Sequence, residues 1–281
     1  MEAVTWGSGV KVTGVWHFDL EKTLFCGQAF RWTAERTRFF GVARGRALEV
    51  WQEGDAVFFN PCTLKEFDEI WQEYFDLKRD YGRLQSEARA FVGDEILPDI
   101  HILRQPLFET LITFILSANN HIPRIRGLVE RLAERAGKPI PNRAGVYDFP
   151  EPEELASLSE TELRSLGCGY RAPFLVETAQ RVMEGCLEDV GKMPYDEAKR
   201  RLMALPGVGD KVADCTLLYG AGRMEAFPVD VWVHRALKER WGVEGSRSKL
   251  ALEARKRFGA HGGYLQQVLF YESRQAGRKG A

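Results

Sequence analysis

The chain of 281 residues has few cysteines, and their spacing fits neither a disulfide framework nor a metal site. Their number is odd and no CxxC pair occurs, which argues against both a disulfide scaffold and a zinc site. An iron–sulfur cluster is excluded because it needs four closely spaced cysteines. The five are Cys26, Cys62, Cys168, Cys186 and Cys215. No metal ligands are therefore predicted.

The sequence also lacks any apolar run that approaches the length of a membrane span. Its N-terminal residues do not show the charged-then-apolar pattern of a secretory signal. Hydrophobic residues make up 44% and charged residues 28%, which is ordinary for a soluble globular enzyme. We expect a cytoplasmic protein, nucleoid-associated in a prokaryote, that is a monomer and does not contact a membrane.

A strong net charge is missing as well, because the formal charge is only −1. By itself this value argues against a nucleic-acid-binding protein, but the charge is unevenly distributed. Residues 1–100 carry 12 basic and 17 acidic side chains, whereas residues 191–281 carry 17 and 10. The basic excess near the C-terminus would suit phosphate binding. A chance fluctuation of surface charge is the alternative.

The N-terminal part shows the pattern of an antiparallel sheet. Its short segments are rich in β-branched and aromatic residues and are separated by glycine or charged turns. The predicted strands are residues 10–16, 30–35, 38–45, 47–52 and 56–60. Residues 63–98 then change to helical spacing of apolar residues.

From about residue 106 onward the patterns are almost entirely helical. The sequence predicts an α+β fold: an antiparallel-sheet unit over residues 1–98, packed on an all-helical unit over residues 99–281. A helix–hairpin–helix is predicted at about residues 195–222, where LPGVGDK separates two helical segments.

The hairpin sequence is typical of a phosphate-binding turn. Gly207 and Gly209 permit positive φ angles and close approach of another backbone. With Val208 between them, they would present consecutive N–H groups at a helix N-terminus, where an anion binds. Such a turn grips the DNA backbone without reading sequence. A tight turn packed for structural reasons is the alternative.

Two side chains beyond the hairpin lie on one helical face. Lys211 falls in the first turn, where the helix dipole disfavours an ammonium and thus favours nucleophilic amine chemistry. A solvated lysine that contacts phosphate is the alternative. Cys215, four residues later, would line a flat base pocket or simply belong to the core. Asp214 is expected to be a surface or first-turn charge.

Asp230 follows Pro228 and precedes the helical sequence VWVHRAL, so it is well suited to cap that helix. The functional alternative is a carboxylate that stabilises positive charge developing at C1′ of a deoxyribose. The two roles are compatible, because a capping aspartate leaves one oxygen available.

These residues resemble the helix–hairpin–helix base-excision DNA glycosylases, and within them the 8-oxoguanine DNA glycosylases. LPGVGDKVADC followed by PVD resembles the family's hairpin and aspartate loop. The resemblance extends over about residues 15–273 and includes CGQAFRW at 26–32, SANNHIPRI at 117–125, LGCGYRA at 166–172 and QQVLF at 266–270. The hairpin occurs across the superfamily, whereas the first two of these segments are more specific to the oxidised-guanine branch.

The resemblance implies a role for each matching position. Lys211 would be the nucleophile, Asp230 its acidic partner, and the Gly27 carbonyl the acceptor for the N7–H of oxidised guanine. Phe270 and Cys215 would enclose the base, with Gln266 at its Watson–Crick edge. Four further residues would act at the gap and the opposite cytosine: Asn119, Arg124, Tyr170 and Arg171.

The implied activity is bifunctional. The enzyme would release 8-oxoguanine, preferably opposite cytosine, and cleave the strand through a Schiff base and β-elimination, with duplex DNA as its partner. No cofactor is implied, although hairpin carbonyls would suit a structural cation. The alternatives are a glycosylase for another damaged or mispaired base, or a non-enzymatic DNA-binding module. Trp232, His121 and Ala118 depart from the family pattern, which puts a phosphate contact and the opposite-base preference in doubt.

Overall fold

The structure is a computed structural model that describes residues 1–93, 97–141 and 143–279. Its N-terminal part is a sheet of six strands: β1 (Glu2–Trp6), β2 (Gly9–Thr13), β3 (Trp32–Glu35), β4 (Arg38–Ala43), β5 (Arg46–Glu53) and β6 (Ala56–Asn60). All neighbouring strands are antiparallel, in the order β1-β2-β6-β5-β4-β3. The predicted α+β fold with an antiparallel sheet is thereby confirmed.

Strand β1 lies outside the predicted meander. It pairs with β2 from Glu2 opposite Thr13 to Trp6 opposite Gly9, and Gly7 supplies a positive φ of 58° in the turn. All but one of its five residues are exposed, so it shows no alternation between buried and exposed positions. The period-two pattern that indicates a half-buried strand is therefore missing from its sequence.

One broken helix covers the buried face of the sheet. It comprises α2 (Leu64–Glu66), a π-helical turn at Phe67–Trp71 and α3 (Gln72–Tyr74). Trp32 packs against it, and its Nε1 donates to the Tyr74 hydroxyl at 2.8 Å. Trp32 stands at the end of the loop that follows α1 (Leu20–Phe25), so this contact holds that end of the loop against the broken helix.

The remaining helices form a second, larger core. They are α4 (Tyr81–Val92), α5 (Leu107–Ser117), α6 (Ile122–Ala136), α7 (Pro152–Ala156), α8 (Glu160–Ser165), α9 (Ala172–Met183), α10 (Tyr195–Met203), α11 (Asp210–Cys215), α12 (Val231–Trp241), α13 (Arg247–Phe258) and α14 (Gly262–Lys279). Two short 3₁₀ turns occur at Gly169–Arg171 and Gly259–His261. Within the described residues, no helix is long and apolar enough to cross a membrane.

The two cores meet around residues 81–105. Tyr81 and Leu84 of α4, which the sequence groups with the sheet, are buried in the helical core. Leu103, by contrast, is buried with the sheet. The segment after α4 therefore contributes side chains to both cores.

Helix α11 continues directly into a π-helical turn at Thr216–Gly220. This wider turn inserts one extra residue into the helical repeat, a feature that is frequent at functional sites. Leu217, Leu218 and Tyr219 are buried there against the rest of the helical core. The turn thus connects the hairpin region to the centre of the molecule.

Candidate active site

A cavity of about 860 Å³ opens where the two cores meet. Its walls come from the loop after α1, the turn between α5 and α6, the hairpin before α11, the loop before α12, and α14. The site residues predicted from the sequence that line this cavity are Gly27, Asn119, Gly207, Gly209, Lys211, Cys215, Asp230, Gln266 and Phe270. Residues far apart in the chain thus share one cavity.

The hairpin lies between α10 and α11, within the predicted range. Gly207 has a φ of 75°, and a Cβ atom there would lie only 2.7 Å from the Phe174 ring. Both the backbone angle and the close packing therefore require glycine. Gly209 is the N-cap of α11 and lines the cavity with Gly207.

Val208 contributes to the hairpin differently from its two neighbours. Its side chain is buried and its N–H donates to the Leu205 carbonyl at 3.2 Å. The N–H groups of the first turn of α11 have no acceptor inside the helix, because helical bonding starts one turn later. Those donors, rather than Val208, remain for an anion.

Lys211 extends from the first turn of α11 toward α5. Its Nζ lies 3.0 Å from the Ser117 hydroxyl and 4.6 Å from the centre of the Phe114 ring. The Ser117 hydroxyl in turn donates to the Phe114 carbonyl at 2.7 Å. The amine is therefore held in one place at the cavity wall, which is what a nucleophile requires.

Asp230 caps α12, as the sequence predicts. Its Oδ1 accepts hydrogen bonds from the N–H groups of Trp232 at 3.0 Å and Val233 at 2.9 Å. Both bonds use the same oxygen, so the second oxygen is available to the cavity that Asp230 lines. The cap thus fixes the carboxylate while keeping it usable.

The expectation that Asp214 is a surface or first-turn charge is wrong, because it is the fifth residue of α11. Asp214 is buried, accepts a hydrogen bond from the Tyr195 hydroxyl at 2.6 Å, and pairs with Lys199 at 2.9 Å. Burial raises the pKa of this carboxyl, and the Lys199 ammonium opposes that effect. These contacts fasten α11 to α10, so Asp214 holds the two helices of the hairpin together.

Gly27 lies in the loop after α1 with a φ of 93°. A Cβ atom added there would lie 2.8 Å from the Phe270 ring and 3.3 Å from Ile122. The loop is therefore in close contact with both α14 and α6, and only glycine fits.

Both neighbours of Gly27 are held by buried amides. The Cys26 carbonyl accepts from Gln267 Nε2 at 2.9 Å, and the Gln28 carbonyl accepts from Gln105 Nε2 at 2.7 Å. The Gln28 side chain itself bonds to the backbone of residues 23, 101 and 103. The peptide groups around Gly27 are thereby fixed in orientation.

Three predicted pocket residues follow Gly27 around the cavity. Cys215 is buried, and burial raises the pKa of its thiol to about 12, so the thiol is uncharged and unreactive near neutral pH. Gln266 is buried on α14 and Phe270 is half-buried one turn later. Together they form an apolar slot with one amide, which suits a planar base.

Of the four residues predicted to act at the gap and the opposite base, Asn119 lines the cavity, and Arg124, Tyr170 and Arg171 do not. Asn119 has a left-handed φ of 52° and is exposed. Arg124 in α6 and Tyr170 are also exposed, the latter to 52%. Exposed side chains of this kind are suited to contact a partner.

Arg171 is placed differently from the other three. It is buried, its Nη2 donates to the Ala118 carbonyl, and its guanidinium lies 4.3 Å from the Tyr170 ring centre. Its Nε is buried without a partner among the described residues. In this structure the side chain supports the turn that presents Asn119.

Two positions that depart from the family pattern have clear structural roles. Trp232 packs its ring against α14, where a Cβ atom on Gly277 would lie 2.6 Å from the indole. His121 caps α6 by accepting the Arg124 N–H at 3.4 Å on its ring nitrogen. Each lines the cavity as well.

Three site residues were not singled out from the sequence. Ser117 and Phe114 hold Lys211, and Tyr219 contacts Gln266 and Gln267 in the cavity wall. Ser117 is the first residue of the SANN segment, and the resemblance of that segment to the family was the signal that could have identified it. Phe114 and Tyr219 have the pattern of ordinary core aromatics, and only the three-dimensional fold distinguishes them.

Nothing in the described part of the chain groups three or more His, Cys, Asp or Glu side chains in a way that would hold a metal ion.

Comparison with known proteins agrees with this architecture. Residues 12–111 match the N-terminal domain of 8-oxoguanine DNA glycosylase, and residues 112–259 match the HhH-GPD superfamily of base excision DNA repair proteins. The chain is 32% identical over 238 residues to the probable N-glycosylase/DNA lyase of Methanothermobacter thermautotrophicus, covering 76% of each protein. It is 35% identical over 210 residues to the N-glycosylase/DNA lyase of Saccharomyces cerevisiae, covering 61% of this chain and 56% of that one.

A solved structure extends the similarity to the whole fold. Clostridium acetobutylicum 8-oxoguanine glycosylase/lyase, in complex with dsDNA containing cytosine opposite to 8-oxoG, superposes with a TM-score of 0.92. The two share 33% sequence identity over 99% of each chain. The chain therefore belongs to the HhH-GPD superfamily of base excision DNA repair proteins. Within it, the chain is a member of the N-glycosylase/DNA lyase family that carries the 8-oxoguanine DNA glycosylase N-terminal domain.

Proposed function

We propose that the protein is a bifunctional DNA glycosylase and AP lyase that excises 8-oxoguanine, preferably opposite cytosine, from duplex DNA. The observation that carries this proposal is the meeting of Lys211, Asp230 and Gly27 at one cavity. The first two supply the chemistry of bond cleavage, and the third supplies a means to select the base. A pure DNA-binding module would need none of these in this arrangement.

The reaction begins when the damaged nucleotide leaves the base stack and enters the cavity, at a cost of roughly a few kcal/mol. The unprotonated amine of Lys211 attacks C1′, and the C1′–N9 bond breaks as its electron pair leaves with the base. The Asp230 carboxylate stabilises the positive charge that develops on the sugar. One proton on nitrogen passes to the departing base and the other passes to O4′ as the sugar ring opens, which gives a Schiff base.

Strand cleavage follows from the Schiff base. A water molecule takes a proton from C2′ and the 3′ phosphate departs with the C3′–O electron pair, which completes a β-elimination. The unsaturated sugar, still attached to the 5′ part of the cut strand, stays bound to Lys211 until water hydrolyses the Schiff base. The amine, the carboxylate, the DNA and water supply every group in this scheme. We therefore propose that it needs neither a metal nor an organic cofactor, and that a monomer suffices.

Selectivity rests on the backbone at Gly27. Oxidised guanine carries a hydrogen on N7, which a carbonyl accepts, whereas normal guanine presents a lone pair there. A buried carbonyl that faces a lone pair loses its hydrogen bond, at a cost of about 1–3 kcal/mol. The buried amides on both sides of Gly27 keep its carbonyl from turning away.

Recognition of the opposite base would involve the four residues predicted to act at the gap and the opposite cytosine. Asn119 would fill the gap, Tyr170 would insert beside the orphaned cytosine, and Arg124 is exposed and free to reach it. Arg171 would bond to the same base with N–H groups other than the one that holds the Ala118 carbonyl. First-turn N–H groups of α11 would bind the backbone phosphate.

The function is tested with wild-type protein on duplexes that differ only in the target base. We expect release of 8-oxoguanine and a covalent adduct on borohydride reduction, with a rate about tenfold higher opposite cytosine than opposite adenine. Other targets should include an oxidised pyrimidine, 3-methyladenine and a mispaired adenine. Preferential release of one of these bases would show that it, and not 8-oxoguanine, is the substrate. Equal rates of 8-oxoguanine release opposite all four bases would contradict the cytosine preference.

Replacing Gly27 with alanine is expected to remove base selection while the lysine chemistry survives. The new methyl group would meet the Phe270 ring at 2.8 Å, and φ would be strained. Release of 8-oxoguanine should fall by about a hundredfold, because the pocket closes and the carbonyl shifts. Borohydride trapping on an abasic duplex, which places no base in the pocket, should stay within about threefold of wild type.

A matched control is Gly54→Ala, which also removes a positive-φ glycine but in an open surface turn with no atom near the added methyl group. Gly54→Ala should retain 8-oxoguanine release. A Gly27→Ala protein with normal release would show that this carbonyl does not select the base.

A further inference from the structure

A chain of hydrogen bonds lies behind the base pocket, and its centre is the Tyr219 hydroxyl. This oxygen lies 2.5 Å from Oε1 of Gln267 and 3.3 Å from Oε1 of Gln266. The Gln267 amide continues the chain, because its Nε2 donates to the Cys26 carbonyl at 2.9 Å. Tyr219 therefore connects the amide in the pocket to the backbone beside Gly27.

The hydrogen-bond partners of Gln267 determine the orientation of its side-chain amide. A carbonyl only accepts hydrogen bonds, so the Gln267 atom that faces Cys26 must be its NH₂ group. The oxygen of the same amide must then face Tyr219, and the distance of 2.5 Å shows that the tyrosine donates there. Burial raises the pKa of the Tyr219 phenol well above its usual value, which keeps the proton in place.

A phenol can donate only one hydrogen bond, and Tyr219 donates it to Gln267. The Tyr219 oxygen can then only accept from Gln266, so a Gln266 oxygen facing it would leave two buried acceptors opposed. That arrangement costs free energy, whereas a half-turn of the Gln266 amide presents Nε2 to the tyrosine and satisfies both groups. The ring of Tyr219 is stacked on Phe114 with centres 5.5 Å apart, so the hydroxyl cannot move aside easily.

We propose that Tyr219 is a positioning residue that turns the Gln266 amide so that its oxygen, Oε1, faces the extruded base. This inference rests on the proposed function and deepens it. An amide oxygen at the Watson–Crick edge accepts from N–H donors, and guanine-type bases carry donors at N1 and N2. Adenine-type bases carry an acceptor at N1 and would be rejected. The pocket then reads two features: the oxidised N7–H at Gly27 and the guanine edge at Gln266.

The test compares 8-oxoguanine with 8-oxoadenine, both opposite cytosine. Both bases carry the N7–H, so Gly27 treats them alike, and only the Watson–Crick edge differs. Wild type should release 8-oxoguanine faster. In Tyr219→Phe the amide loses the group that orients it, and the ratio of the two single-turnover rates should fall by about tenfold. Trapping on an abasic duplex, which has no base to read, should fall less than the release of 8-oxoguanine.

Tyr264→Phe is the matched control. Tyr264 is also a fully buried tyrosine, on the helix that carries Gln266, but its hydroxyl donates to the Pro98 carbonyl. Its removal should lower the melting temperature and preserve the ratio of rates. An unchanged ratio in Tyr219→Phe, or a wild-type enzyme that releases both oxidised purines equally, would overturn the proposal. Absence of any 8-oxoguanine release by wild type would instead overturn the proposed function.

Nuclear magnetic resonance of DNA-free protein labelled with ¹⁵N-glutamine tests the orientation independently of activity. The proposal requires a nuclear Overhauser effect between the Gln266 side-chain NH₂ and the ring protons adjacent to the Tyr219 hydroxyl. Its presence would support the assigned orientation even if another base proves to be the substrate. Its absence, with the corresponding Gln267 NH₂ signals intact, would overturn it.

Discussion

Lys211→Gln is expected to abolish the covalent adduct on borohydride reduction and to lower 8-oxoguanine release by at least about a thousandfold, as expected when a covalent nucleophile is removed. Glutamine has no amine to attack C1′, but its amide can still donate to the Ser117 hydroxyl that Lys211 contacts at 3.0 Å. The fold should therefore be preserved. Single-turnover assays on an 8-oxoguanine duplex and on an abasic duplex measure the two steps.

Lys192→Gln is the control for loss of a positive charge. Lys192 is exposed, pairs with Asp189 and does not line the cavity. Its removal should leave both assays unchanged, and the affinity of Lys211→Gln for duplex DNA should remain measurable. An adduct that persists in Lys211→Gln would show that another amine is the nucleophile and would refute the proposed mechanism.

The second large effect is expected for Asp230→Asn. Asparagine also caps helices well, so the bonds from the Trp232 and Val233 N–H groups to Oδ1 should persist. Only the negative charge is lost. Base release should fall by about 10²–10³-fold, the range seen when one electrostatic stabiliser of a transition state is removed. Trapping on an abasic duplex should fall much less, because no glycosidic bond is broken there.

Asp230→Ala separates the charge from the cap. It removes both, so it should lose activity like Asp230→Asn and in addition lose about 1 kcal/mol of unfolding free energy. Denaturant unfolding of the two variants measures that difference. Equal base release by Asp230→Asn and wild type would mean that the aspartate serves only as a helix cap.

The sequence predicted the parts of the fold whose signals are local. The hairpin at Gly207 and Gly209 and the cap at Asp230 were predicted from residue types with defined backbone roles, and both lie where expected. Strand β1 was missed because it is an exposed edge strand without alternation. Asp214 was placed wrongly because its partners, Tyr195 and Lys199, come from another helix.

Only the parts of the site that lie within recognisable sequence motifs could be predicted. The resemblance identified most of the cavity wall, since its blocks contain the residues that line it. Spacing along the chain says nothing about contacts such as the Gln267 amide on the Cys26 carbonyl, which joins residues 241 positions apart. Nor does it show that Arg171 turns inward to the Ala118 carbonyl. Such contacts follow from tertiary packing, which single-sequence patterns do not encode.

The π-helical turn at Thr216–Gly220 has a geometric consequence for the cavity wall. Lys211, Cys215 and Tyr219 follow one another at intervals of four residues, and all three face the cavity. In an ordinary α-helix each such interval overshoots a full rotation by roughly 40°, so the third residue would drift well away from the first. The wider turn corrects that angular error. The number of residues between Lys211 and Tyr219 is therefore fixed: a deletion of one residue would rotate everything beyond it by about 100°.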